Sequence, residues 1–186
     1  IDDDIQVATM HSFCDMWRRE YSVECDLVGF EIVQEDQALV FMQNAFTTSA
    51  LKHQWKYSAM PNIQNLYTLY TYKAESMIDY DELESNDKFQ DLGMPMSILK
   101  DTFEFYDSIK RRRKRFDFVD MLTKVYQLLK NNPSVLQNIQ RFYEYVIADE
   151  VQDFTPLMME LLKLFVNNDT PLLCIGDEDQ SIYNFR

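Results

Sequence analysis

Two short stretches near the C-terminus constrain this chain more than any other feature. One is Tyr145-Val-Ile-Ala-Asp-Glu-Val-Gln-Asp153, and the other is Leu172-Leu-Cys-Ile-Gly-Asp-Glu-Asp-Gln-Ser-Ile-Tyr-Asn-Phe-Arg186. Each begins as an apolar run and breaks abruptly into carboxylates or amides. A buried parallel strand has this pattern when it delivers polar side chains to a ligand at its C-terminal edge. Between them lies Thr155-Pro-Leu-Met-Met-Glu-Leu-Leu-Lys-Leu-Phe-Val166. Thr155 suits a helix N-cap and Pro156 the first helical position. Strand, helix and strand predict a βαβ unit with acids at both strand ends, hence an α/β fold.

Adjacent carboxylates at a strand end suit nucleotide chemistry. Asp149 could hold Mg²⁺ through water, and Glu150 could orient or deprotonate an attacking water. The plainer alternative is that Asp149-Glu150 simply opens a loop. Gln152 and Asp153 follow at once, however, and the second strand ends in the long polar run from Gly176 to Arg186.

The Asp149-Glu-x-Gln-Asp153 run resembles motif II, the Walker B element, of superfamily 1A DNA helicases of the UvrD/Rep/PcrA type. The Gly176-Asp-x-Asp-Gln-Ser-Ile-Tyr-x-Phe-Arg186 run resembles motif III of the same family, in the right order and at a similar spacing. The resemblance implies an ATP-dependent DNA helicase, with Mg²⁺ and ATP as ligands and single-stranded and duplex DNA as partners. It makes Asp149 the Mg²⁺-coordinating acid, Glu150 the catalytic base and Gln180 the γ-phosphate sensor. It places Gln152, Asp153, Asp177 and Asp179 among the groups that couple the nucleotide to its surroundings. Tyr183, Phe185 and Arg186 become single-strand contacts. Many relatives carry Trp where this chain has Phe185, and either ring offers a face for base stacking. Core packing is the structural alternative for Tyr183 and Phe185.

Upstream, Ile5-Gln-Val-Ala-Thr9 reads as a short strand. Met10 to Trp17 reads as a helix with Phe13, Met16 and Trp17 on one face. Thr9, His11 and Ser12 lie in a stretch that resembles motif Ib, which implies contacts to the DNA backbone. The alternative for His11 is a partly buried, satisfied histidine. From about Tyr21 the pattern becomes helical without clear strand pairing. The acidic segment from Asp79 to Asp91 reads as a solvated loop or fraying helix. Met96 to Lys110 is amphipathic, with Ile98, Leu99, Phe103, Tyr106 and Ile109 on one side. Phe116-Asp-Phe-Val-Asp-Met-Leu122 then reads as the element that returns the chain to its first domain, with Asp117 as a helix cap. The expected organisation is a partial RecA-like P-loop motor domain of few parallel strands, in residues 1–22 and 116–186. A largely helical insertion resembling domain 1B fills 23–115.

Composition bounds these readings. The net charge of −13 runs against a DNA partner on average, but local patches decide binding. Lys110-Arg-Arg-Arg-Lys-Arg115 is such a patch. Arg111, Arg112, Arg113, Lys114 and Arg115 are candidate phosphate contacts, against the alternative of a solvated helix end. Three widely spaced cysteines and two histidines suggest reduced thiols and no dedicated metal site. No apolar run spans a membrane, and a cytoplasmic enzyme of DNA repair is expected.

None of the three glycines, Gly29, Gly93 and Gly176, precedes a Lys, so no GxxxxGK[ST] loop is present. The chain is therefore expected to be part of a helicase, inactive alone and without tight ligand binding. Its partners would include the rest of the helicase chain. The apolar stretch 172–175 is expected to be an exposed strand edge capable of self-association. Two other readings remain: the motor of an AddA/RecB-like helicase–nuclease, and a non-catalytic DNA- or protein-binding relative.

Overall fold

The computed structural model describes residues 5–57 and 60–177. In chain order the elements are α1 (Met10–Glu20), β1 (Glu31–Ile32), α2 (Glu35–Lys52), α3 (Ile63–Glu75), α4 (Tyr80–Glu84) and α5 (Asp87–Gln90). They continue with α6 (Met96–Arg112), β2 (Arg115–Phe116), α7 (Phe118–Asn131), α8 (Pro133–Gln140), β3 (Val146–Ala148), α9 (Pro156–Phe165) and β4 (Leu172–Cys174). The chain divides into two compact units, Ile1–Val28 with Asp120–Arg186, and Gly29–Val119.

The first unit is built on helices that bury one stripe each. On α7, Met121, Leu122, Val125, Leu128 and Leu129 are buried, following the spacing of a single helical face. α9 contributes Leu157, Leu161, Leu162 and Phe165. Aromatic rings join the helices: Phe13 of α1 meets Phe165 of α9 edge-on at 4.7 Å, and Trp17 meets Phe142 at 5.7 Å. Thr155 caps α9 by accepting from the Met158 N–H, with Pro156 in the first turn, as the sequence predicts. The strand expected at Ile5–Thr9 is absent. These residues form an exposed lead-in, and Thr9 caps α1 by accepting from the Ser12 N–H at 3.2 Å. A strand needs a ladder partner for its backbone groups, and the described strands pair only β1 with β2 and β3 with β4.

The second unit has its own core. Phe41, Met42 and Phe46 of α2 pack with Ile98, Leu99, Phe103 and Tyr106 of α6, and Leu66 and Leu69 of α3 join them. Ser49 is fully buried and donates to the Ile98 carbonyl at 2.8 Å, which ties α2 to α6. The acidic segment is not a solvated loop. Asp79 and Glu82 form a reciprocal capping box at α4. Leu83 is wholly buried behind it, and Phe89 and Met94 are buried beyond.

A two-residue parallel ladder, Glu31↔Arg115 and Ile32↔Phe116, closes the base of this unit where no pairing was expected. Two residues are too few to show an alternating pattern in sequence. Below the ladder lies a buried ion pair. Lys110 Nζ sits 2.9 Å from Asp117 Oδ2 and 3.0 Å from the Tyr70 hydroxyl, and Tyr106 donates to the same carboxylate at 2.8 Å. Asp117, read in the sequence as a helix cap, stands directly before α7 and also accepts from a buried lysine.

Candidate functional site

β3 and β4 pair in parallel, with Val146 opposite Leu172 and Ala148 opposite Cys174. The ladder continues past the strands: Ile175 N–H donates to the Ala148 carbonyl at 2.8 Å, and Val151 N–H donates to Ile175 at 3.0 Å. The two strands therefore end side by side, with α9 connecting them, and the βαβ unit of the sequence reading is formed. Asp149 and Glu150 leave one strand as Gly176 and Asp177 leave the other.

At this junction Glu150 occupies the left-handed backbone region, φ 54° and ψ 40°. A turn of 3-10 helix, Val151–Asp153, follows directly, closed by Asp153 N–H donating to the Glu150 carbonyl at 2.9 Å. The Asp149 carboxylate accepts from the Glu150 N–H at 3.0 Å. Gln152 spans the gap between the strands: its amide donates to the Glu150 carboxylate and its carbonyl accepts from the Asp177 N–H at 3.1 Å. Asp149, Glu150, Asp153 and Asp177 are exposed and Gln152 is half-buried. Five of the residues singled out from sequence, Asp149, Glu150, Gln152, Asp153 and Asp177, thus lie together at the ends of β3 and β4. Asp179, Gln180, Tyr183, Phe185 and Arg186 lie outside the described residues.

Among the described residues no cluster of three or more His, Cys, Asp or Glu could enclose a metal ion. Of the exposed carboxylates at the strand ends, Asp149 is the one singled out from sequence as the ion's ligand. That donor set fits Mg²⁺, which keeps several waters and is shared with substrate phosphates rather than caged by protein.

Thr9, His11 and Ser12 form a second group on the first turn of α1. Thr9 and Ser12 are exposed, while His11 is half-buried, and burial holds its imidazole below the usual histidine range. A neutral imidazole can offer a hydrogen bond to a phosphate but not a charge. The five basic candidates lie in the other unit and fall into distinct roles. Arg111, Arg112 and Lys114 are exposed at the C-terminus of α6. Arg113 holds its guanidinium 5.0 Å from the Phe41 ring centroid, and Arg115 is paired with Glu31.

Two features escaped the sequence reading. Lys110 belongs to the core, not to the basic surface; its helical neighbours Phe103 and Tyr106, on the apolar face, were the available signal. Gly176 is confined by a neighbour distant in sequence: an added Cβ would meet Gln152 Oε1 at 2.6 Å and Val151 Cγ2 at 2.9 Å. Such a contact has no local sequence signal.

A parallel strand pair ending in acids, with a mostly helical second unit, defines a mixed, largely helical chain with few parallel strands, of partial α/β type. Residues 2–186 match the family described as UvrD/REP helicase N-terminal domain, and the chain belongs to that family. It is 26% identical over 98% of its length to a probable DNA helicase II homolog of Mycoplasma pneumoniae, covering 25% of that protein. It is 23% identical over 97% of its length to DNA helicase II of Haemophilus influenzae, covering 24% of it. A shorter match, 31% identical over 60% of this chain, is to an ATP-dependent helicase/nuclease component of Streptococcus pneumoniae and covers 9% of that protein. The chain thus spans a quarter or less of these relatives. Among the described residues no helix is long and apolar enough to cross a membrane.

Proposed function

We propose that this chain is part of the motor of an ATP-dependent DNA helicase that couples ATP hydrolysis to translocation on single-stranded DNA and to unwinding. The observation that carries the reading is the side-by-side ending of β3 and β4, with Gln152 linking Glu150 to Asp177. In this reading Asp149-Glu-x-Gln-Asp153 is motif II, the run from Gly176 is motif III, and Thr9, His11 and Ser12 belong to motif Ib. The unit of Ile1–Val28 and Asp120–Arg186 is part of motor domain 1A, and Gly29–Val119 is domain 1B.

Asp149 would hold Mg²⁺ through water, and the ion supplies charge neutralisation to the phosphates when bound with ATP. Glu150 accepts a proton from the attacking water. Gln152, Asp153, Asp177 and Asp179 couple the nucleotide to its surroundings, and Gln180 reports the γ-phosphate. Tyr183 and Phe185 stack on bases, and Arg186 contacts the strand. Thr9 and Ser12 offer hydroxyls to DNA phosphates. Arg111, Arg112 and Lys114 offer charge to a duplex backbone. The 186-residue chain alone lacks a phosphate-binding loop and does not hydrolyse ATP.

The test is single-strand-stimulated ATP hydrolysis by the full-length protein, wild type beside Glu150→Gln. Stimulated turnover that falls by about a thousandfold, with ATP still bound, supports Glu150 as the base; general base catalysis contributes about 10²–10⁴. Equal turnover in both proteins removes that assignment. No turnover in the wild type favours a DNA- or protein-binding module. The 31% identity to a helicase/nuclease component favours a second reading, the motor of a helicase–nuclease. Degradation of linear duplex DNA by the full-length protein would decide for it.

A further inference from the structure

The chemistry proposed for this site depends on where the Glu150 carboxylate points, and three features bear on that. Glu150 has φ 54°, a left-handed conformation that a residue with a side chain adopts only when its surroundings hold it there. The Gln152 carboxamide is engaged at both ends, towards the Glu150 carboxylate and towards the Asp177 N–H, the latter at 3.1 Å. At Gly176 a Cβ would stand 2.6 Å from that same amide oxygen, closer than real Cβ contacts come. The amide orientation follows from donor and acceptor chemistry. A backbone N–H can be met only by the carbonyl oxygen, which turns the NH₂ towards an acceptor-only carboxylate.

We infer that Gln152 and Gly176 form a latch through which the backbone after β4 sets the direction of the Glu150 carboxylate. Gln152 is the positioning residue, and Gly176 is the gap that seats it. The inference rests on the reading of Glu150 as the hydrolytic base. A displacement of the 176–177 backbone passes through one planar group to the base. The side chain at 152 needs an acceptor and a donor on one rigid plane, at a length that Asn does not reach. A Cβ at 176 would push the Gln152 amide out of this position.

The experiment uses the full-length protein. Single-strand-stimulated ATP turnover is measured for the wild type, Gln152→Ala, Gly176→Ala and the double variant, and hydrogen exchange is followed at the Asp177 amide. Each single substitution is expected to lower kcat by about tenfold or more with the KM for ATP within about twofold, because the residue acts on the base and not on nucleotide binding. The double variant should be no worse than Gln152→Ala by more than about twofold, since both changes remove one contact. The Asp177 amide should exchange about tenfold faster in Gln152→Ala, as expected for a lost hydrogen bond. Additive losses, or a KM that rises as kcat falls, would overturn the positioning role. Unchanged exchange at Asp177 would overturn the latch itself, whatever the turnover. Full turnover in Glu150→Gln would instead remove the base and with it the positioning role, while exchange would still report whether the contact exists.

Discussion

Glu150 and Lys110 are both charged, and their surroundings use them in opposite ways. Glu150 is exposed at a strand end, where a left-handed backbone and the Gln152 amide fix its direction. Lys110 is 2% exposed and its ammonium is shared among Asp117, Tyr70 and the rings of Tyr70 and Tyr106. Removing one partner of a buried pair strands the other charge. Lys110→Ala is therefore expected to destabilise the chain by about 3–5 kcal/mol. Lys110→Met combined with Asp117→Leu should cost much less, because neither charge is then left uncompensated. Urea unfolding monitored by circular dichroism measures both; equal losses would mean that packing volume, not charge, dominates the site. The sequence showed Glu150 clearly, because an acid directly after an apolar run stands out. It hid Lys110, because the same letter opens a run of six cations and only its helical phase separates it from them.

At the scale of elements, the readings that held were those with enough residues to carry a pattern. β3, α9 and β4 each announced themselves through an apolar run, a cap and an abrupt polar end, and the parallel pairing follows from the connecting helix. β1 and β2 are two residues long and left no periodic trace, and Ile5–Thr9 had the composition of a strand but no described partner. The acidic segment was only half legible, as a solvated loop or fraying helix: its charges face water while Leu83 and Phe89 anchor two short helices to the core of the second unit. Leu83→Ala should therefore cost about 2–5 kcal/mol, whereas truncation in a solvated loop would cost almost nothing; a urea titration separates the two. The tie between α2 and α6 has a pH signature. Asp101 accepts from Lys52 and His53, each at 2.6 Å, and the Lys52 hydrogen bond foremost holds its carboxyl below the ordinary 3.8. A depressed folded-state pKa adds stability that is fully present above the unfolded value and fades as pH falls through the lowered one. The stability gap between wild type and Asp101→Asn should thus be present at neutral pH and shrink below about pH 4, the ordinary aspartate range. A gap independent of pH would show that the carboxylate contributes no charge interaction.

For the whole molecule the proposed helicase reading raises the question of how a chain of net charge −13 would serve a polyanion. Non-specific affinity for DNA comes from the cations that neutralise phosphates, and each one releases counterions when it binds. The total charge is therefore less informative than the number of cations able to reach a phosphate. Of the six in the basic run, Lys110 is buried and Arg115 is paired with Glu31, while Arg113 lies against Phe41. Arg111, Arg112 and Lys114, exposed as Arg113 also is, lie together at the negative end of the α6 dipole, which stabilises the helix and collects positive charge in one place. In the full-length protein, replacing these three by Ala should weaken binding to a duplex with a single-stranded tail at low salt. It should also flatten the plot of log K against log salt by about 2 to 3 units, roughly 0.9 per lost phosphate contact. Arg115→Ala should leave that slope where it is, because Arg115 is already committed to Glu31. An unchanged slope in the triple variant would mean that the run is a solvated helix end and that DNA is held elsewhere. A slope that flattens equally in Arg115→Ala would mean that the ion pair with Glu31 opens when DNA binds.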